Sequence, residues 1–239
     1  MRVAAAVALL ALLALSGCET TTEESARLEK TAHHARLVEQ GLSITRQSAD
    51  VHVLGAVIVH GAKGNAAVVT LRNDSGHTLK SVPIAIAVKD AHGSTLFQNN
   101  APGLEAALTT LASLPANGES TWVNDQVQTS SGVPASVSAI VGEAPAASGS
   151  APRIGVEGVH PSEEGSSASA VGMAHNDSNV TQRNLVVYVI ARRSGRIVAA
   201  GRAVLPEVAA GASVPFQAFL VGTPRGATLQ ASAPVTTFG

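Results

Sequence analysis

An alternating segment that occurs twice sets the tightest limit on how this chain can fold. Residues 51–90 lie without a gap on residues 154–193. Val51, Val53 and Gly55 fall on Ile154, Val156 and Gly158, and Asn73-Asp74-Ser75 falls on Asn176-Asp177-Ser178. Val82, Ile84, Ile86 and Val88 fall on Leu185, Val187, Val189 and Ala191. A two-residue period kept in phase over that distance preserves which face of each strand is apolar. The pattern reads as two copies of one β module.

Turn formers divide each copy into short strands. In the first, 50–143, Asn73-Asp74-Ser75-Gly76, Ala91-His92-Gly93 and Asn117-Gly118 separate strands expected at 51–59, 66–72, 81–89, 94–97, 120–127 and 135–141. In the second, 153–239, strands are expected at 153–159, 168–174, 184–192, 196–204, 213–221 and 227–232, with Ser194-Gly195 as the hairpin turn. Leu205-Pro206 followed by Gly211 is matched to Leu114-Pro115 followed by Gly118. Residues 144–152 hold only Ala, Pro, Ser and Gly, with no charge and no large apolar residue, and read as an extended, flexible linker between independently folding modules. Short strands with regular turns and no long helical period give an all-β chain of two tandem antiparallel sandwiches. This order of signals resembles the small immunoglobulin-like sandwiches of bacterial envelope proteins, the FxLYD type among them. The resemblance implies the fold and carries no functional residue.

The N-terminus addresses location. Arg2 precedes an apolar run over residues 3–15, too short for a comfortable membrane span. It ends in Leu15-Ser16-Gly17-Cys18, which resembles the lipobox of bacterial lipoproteins. The resemblance implies that residues 1–17 are removed as a signal peptide and that Cys18 becomes the lipidated first residue. Acyl chains there would hold the protein on the cell membrane or the outer membrane, on the extracytoplasmic side. Residues 18–49 read as a polar stalk with helical capping signals, Thr20-x-x-Glu23 and Thr21-x-x-Glu24. His33-His34 reads as a solvated pair, because neighbouring residues do not share a helix face.

Composition removes several functions. A net charge of −1 offers no basic surface for nucleic acid, and 3% aromatic residues leave few stacking platforms for bases or sugars. A single cysteine allows no internal disulfide. No G-x-S-x-G elbow, H-E-x-x-H, phosphate-binding loop or EF-hand loop occurs. Asp74, Asp90, Asp125 and Asp177 are isolated carboxylates near turns, where two in a cleft would be needed for glycoside hydrolysis. Met173 and His175 would share a strand face, which makes a Cu(I) ligand pair conceivable, but such sites gather several Met and His. Trp122 and Tyr188 read as core or interface anchors.

The expectation is a non-enzymatic, lipid-anchored envelope protein that needs no cofactor and no metal. Its partners would be the membrane, through lipid on Cys18, and an envelope protein bound by the β modules. The alternative is an extracytoplasmic carrier for a small ligand or metal ion. The copies differ most between hairpin and Leu-Pro pair, where residues 98–113 of the first have no counterpart of equal length. Leu104, Leu108 and Leu111 recur there at helical spacing. They predict a short amphipathic helix that either plugs the module or forms an interaction loop.

Overall fold

A computed structural model describes residues 41–62, 64–162 and 167–239. The signal segment, Cys18, His33 and His34 lie outside the described residues. Thirteen strands and one 3-10 turn make up the described body. The first copy contains β1 (Val51–Gly61), β2 (Gly64–Asn73), β3 (Leu79–Lys89), β4 (Thr95–Gln98), β5 (Thr110–Leu114), β6 (Glu119–Val127) and β7 (Ser136–Val141). The second contains β8 (Ile154–Ser162), β9 (Ser169–Asn176), β10 (Gln182–Arg193), β11 (Arg196–Val208), β12 (Ser213–Gly222) and β13 (Thr228–Ser232).

All pairings are antiparallel. The second copy is one six-stranded sheet in the order β13-β10-β11-β12-β9-β8. Its end strands β8 and β13 come together, so the sheet is nearly closed, barrel-like, around its apolar residues. The first copy repeats that order but is cut in two. One sheet is β1-β2-β6, and the other has β3 at its centre with β7 on one side and β4 and β5 on the other. The cut falls where the second copy has the single long strand β11. In the first, the extra residues divide that strand into β4 and β5.

The expected helix at residues 104–111 is therefore a 3-10 turn, Ala106–Leu108, followed by a strand. Leucine spacing suggested the helix. Thr109 and Thr110 are β-branched, and the open side of β3 supplies a ladder for residues 110–114. Asn99 fills the break between β4 and β5. Fully buried, it accepts from Ile86 N at 2.8 Å and donates from Nδ2 to the carbonyls of Ile84 and Leu108, both at 2.8 Å. A side-chain amide here replaces the peptide group that a continuous strand would have offered.

The repeated Asn-Asp-Ser turn is built alike in both copies. Asn73 Nδ2 donates to the carbonyls of His77, Leu114 and Pro115, and its Oδ1 accepts from Ser75 N and Oγ. Asn176 Nδ2 donates to the carbonyls of Val180, Val208 and Ala209, and its Oδ1 accepts from Ser178 Oγ. These bonds correct the match drawn from sequence. The counterpart of Leu114-Pro115 is Val208-Ala209, and Leu205-Pro206 lies inside β11. The copies also share an unusual backbone: Ser81 and Asn184, equivalent positions, both have left-handed φ, at 52° and 50°.

The linker is paired over its first half. Lys80 N donates to Pro145 O and Ala147 N to Thr78 O, so residues 145–147 continue along β3 beyond β7. The described end of the stalk is held too, since Ser48 N donates to Val141 O and Glu143 N to Arg46 O. The two copies also share a core. Val186, Tyr188, Ile190 and Ala200 of the second are buried in one cluster with Val68, Val69, Val123 and Trp122 of the first. Residues 41–239 accordingly form one compact unit.

Asn73→Ala removes the acceptor and three donations at a buried turn. We expect a loss of about 3 kcal/mol in urea denaturation. Asp177→Ala, at an exposed turn position, should stay within about 0.5 kcal/mol of the parent.

Candidate functional site

The seam between the copies gathers the most buried charge among the described residues. β11 places Arg202 there, with only 5% of its side chain exposed. Arg202 Nε donates to Asp125 Oδ1 at 2.9 Å and Nη2 to Glu105 Oε2 at 2.8 Å. Asp125 comes from β6, and Glu105 from the extra loop of the first copy. Burial works against the Arg202 charge, but the Glu105 hydrogen bond and the two carboxylates outweigh it and hold the guanidinium above its ordinary pKa. Arg202 Nη1 is the one buried side-chain polar atom without a partner among the described residues. The arrangement aligns two β surfaces.

Tyr188 stands opposite Arg202 on the neighbouring strand. Burial pushes its phenol well above the ordinary tyrosine range, and the nearby Arg202 charge pulls only partly against that. Beside it lies an open cleft of about 440 Å³, whose walls include Glu105, Arg183, Asn184, Tyr188 and Val204.

The structure separates the residues singled out from sequence. Leu108 and Leu111 are buried, and Leu104 is half-buried. Trp122 Nε1 donates to Ala107 O at 2.9 Å and Asn124 Nδ2 to Leu108 O at 3.2 Å, so the extra loop is pinned onto the first copy's core. Asp74 pairs with Arg72 and His52. Asp90 Oδ1 accepts from His92 N and Ser94 N in its hairpin turn. His175 meets Ser213 and Glu157 across its strand neighbours. No group of three or more His, Cys, Asp or Glu is placed to hold a metal ion among the described residues.

Sequence reading missed Arg202, Glu105 and the seam itself. One signal was available. The interleaving positions of β3 are Pro83, Ala85 and Ala87, and β3 is buried on alternate residues. Their counterparts in β10 are Val186, Tyr188 and Ile190, and β10 is buried on both faces. A strand that is apolar on both faces needs cover on both.

No protein-family model matches the chain, and no curated protein matches it. Among solved structures, the crystal structure of red sea bream transglutaminase is similar at 14% identity, with a TM-score of 0.22. The match covers 91% of this chain and 30% of that one. A similarity this low leaves the fold and the seam to be read from their own residues.

Two measurements check the seam. Tyr188 is the only tyrosine in the chain. Below the ordinary pKa of about 10 neither folded nor unfolded chain carries phenolate. Above it the unfolded chain ionises first, so stability falls as pH rises toward the raised folded value. Tyrosinate absorbance should therefore appear together with unfolding, and Tyr188→Phe should lessen the alkaline loss of stability. Arg202→Ala leaves the half-buried Asp125 without its partner. It should cost about 3–5 kcal/mol in denaturant melts, and Arg202→Lys should recover only part of that, because a single ammonium cannot reproduce the two-armed contact.

Proposed function

We propose that the protein is a non-enzymatic, lipid-anchored component of the cell envelope that presents two immunoglobulin-like β-sandwich modules to a protein partner. The anchor is lipid on Cys18, and the extracytoplasmic face of the cell membrane or outer membrane is where the body acts. The first copy supports the sandwich reading by its two sheets, β1-β2-β6 and the one centred on β3, and the second keeps the same strand order within a single, nearly closed sheet.

One observation carries the display reading. Large apolar side chains stand in water on strands held by ladders. Leu54 is 51% exposed, Val57 41% and Phe219 62%. Single exposed apolar residues are ordinary on any protein. Here they sit on rigid sheet surfaces in a body whose halves are locked together, so a partner would meet them without ordering the site first. The carrier reading has the seam cleft on its side, with Glu105, Arg183 and Tyr188 in its wall. That cleft is open, whereas carriers enclose most of a small ligand.

Cys18→Ala should move the protein from the membrane to the soluble fraction and abolish incorporation of labelled palmitate. Retention of both label and membrane fractionation would remove the anchor. A photo-crosslinking residue at Leu54 or Phe219 should give discrete protein adducts in intact cells, and one at the buried Ala199 should give none. Adducts absent from every exposed position would end the display reading.

A further inference from the structure

We infer that the groove between the outer face of β1–β2 and the β10–β11 hairpin is the docking site, and that its occupant is an extended, acidic segment of a partner protein with apolar residues between its carboxylates. This inference rests on the display reading and adds the place and the chemistry of the partner.

The groove has a volume of about 740 Å³. Leu54, Val57 and Val68 form its floor, and Ile197 and Val198 line the hairpin side. Val57 and Val68 are opposite each other in the β1–β2 ladder, so they share one face, on which Val57 is exposed and Val68 lies buried beneath the groove. A bulge between Val53 and Gly55 changes the register at this point, which lets Leu54 stand beside Val57. Gly55 and Gly195 edge the groove, and neither has an atom within 4 Å of where a Cβ would lie. Incoming backbone has room there.

Charge selects the occupant. Arg192 and Arg196 line the groove, and among the described residues no carboxylate does. Arg193 and Arg225 adjoin the same hairpin, where Arg193 Nη1 donates to Arg225 O at 2.9 Å. Arg192 reaches only neutral acceptors, Gln230 Oε1 and Gly195 O. None of the four is ion-paired with a carboxylate among the described residues. The neighbouring acids Asp74 and Glu119 both pair with Arg72, and Glu119 lines the adjacent cleft, whose wall Arg192 shares, without an ion pair to it. Two guanidiniums thus line the groove and two more adjoin its hairpin, in a chain whose net charge is −1. They attract an anionic partner over roughly a Debye length, about 8 Å at physiological salt.

The apolar floor distinguishes a peptide from other anions. A free phosphate would satisfy the arginines and leave the exposed Leu54 and Val57 wet. A lipid surface is broad, whereas the groove is concave. An extended segment alternates its side chains every second residue, so one set can cover the floor while the other meets the arginines.

A random decapeptide display library selected on the folded 41–239 body supplies the probe, since Gly41 begins the compact unit. The body's cooperative melt is confirmed first. Enriched peptides should carry net negative charge with interspersed apolar residues. They should bind at least about tenfold more weakly to Arg192→Glu/Arg196→Glu, and salt should weaken binding to the parent. The exposed Arg196 and half-exposed Arg192 make an unchanged melt the expected control. Enriched peptides without acidic bias, or equal binding to the double variant, would overturn the groove. Dependence on Phe219 instead, tested with Phe219→Ser, would overturn the groove and leave the display reading standing. No enrichment on any variant would count against both. Binding of the parent to phosphatidylglycerol vesicles, lost in the double variant and without peptide enrichment, would assign the arginines to a membrane and overturn the peptide proposal.

Discussion

Two strands that are apolar on both faces govern the architecture. In β2, Ala66, Ala67, Val68 and Val69 are all buried, and in β10 burial runs unbroken from Leu185 to Ala191. Each strand has an inner face for its own module. Each therefore has an outer face that needs another cover, which the opposite copy supplies: β10 packs against β6, and β2 against β11 and β12. Burying a valine, isoleucine or tyrosine side chain contributes roughly 1.5–3 kcal/mol apiece. The seam holds several, so area dominates its stability. The Arg202 pair, which must first offset desolvation, contributes more to alignment than to net energy. It fixes β11 against β6 and against the extra loop at Glu105.

Buried amides serve as the second organising device. Asn73 and Asn176 each bind three carbonyls from two separated stretches of chain, closing a turn and the return from the following hairpin at once. Asn99 acts differently: it bridges a break that exists only because the first copy carries extra residues. Hydrogen bonds of this kind matter most for what their loss leaves behind, an unsatisfied buried group. The positions cannot drift freely even though each bond's net contribution is modest.

Local pattern made most strands legible. Turn residues and two-residue alternation located all of them except β5, and the repeat anticipated that both modules would use the same strands. Where reading failed, the cause was tertiary. Leu104, Leu108 and Leu111 have helical spacing, but an empty ladder beside β3 decided their conformation. The Leu205-Pro206 match failed because one recurring dipeptide outweighed the hydrogen-bond partners of Asn176, which sequence does not display. Residues 144–152 lack charge and large side chains, yet backbone groups alone tie the first half of that segment to Thr78 and Lys80. The seam was the largest omission. A contact between modules leaves no periodicity, only the replacement of Ala85 and Ala87 by Tyr188 and Ile190.

That replacement also bears on assembly. The copies meet through unlike surfaces, the β1–β2–β6 face of one and the β10–β11 face of the other, which is a head-to-tail contact. Head-to-tail contacts between similar units have no inherent end and can extend into open filaments. Here the first copy carries only Pro83, Ala85 and Ala87 where the second carries its anchors, so it lacks the large side chains needed to seat on another molecule's β2. The divergence between the two copies thus makes the contact one-way: the second copy seats its anchors on the first, which has no like set to offer in return.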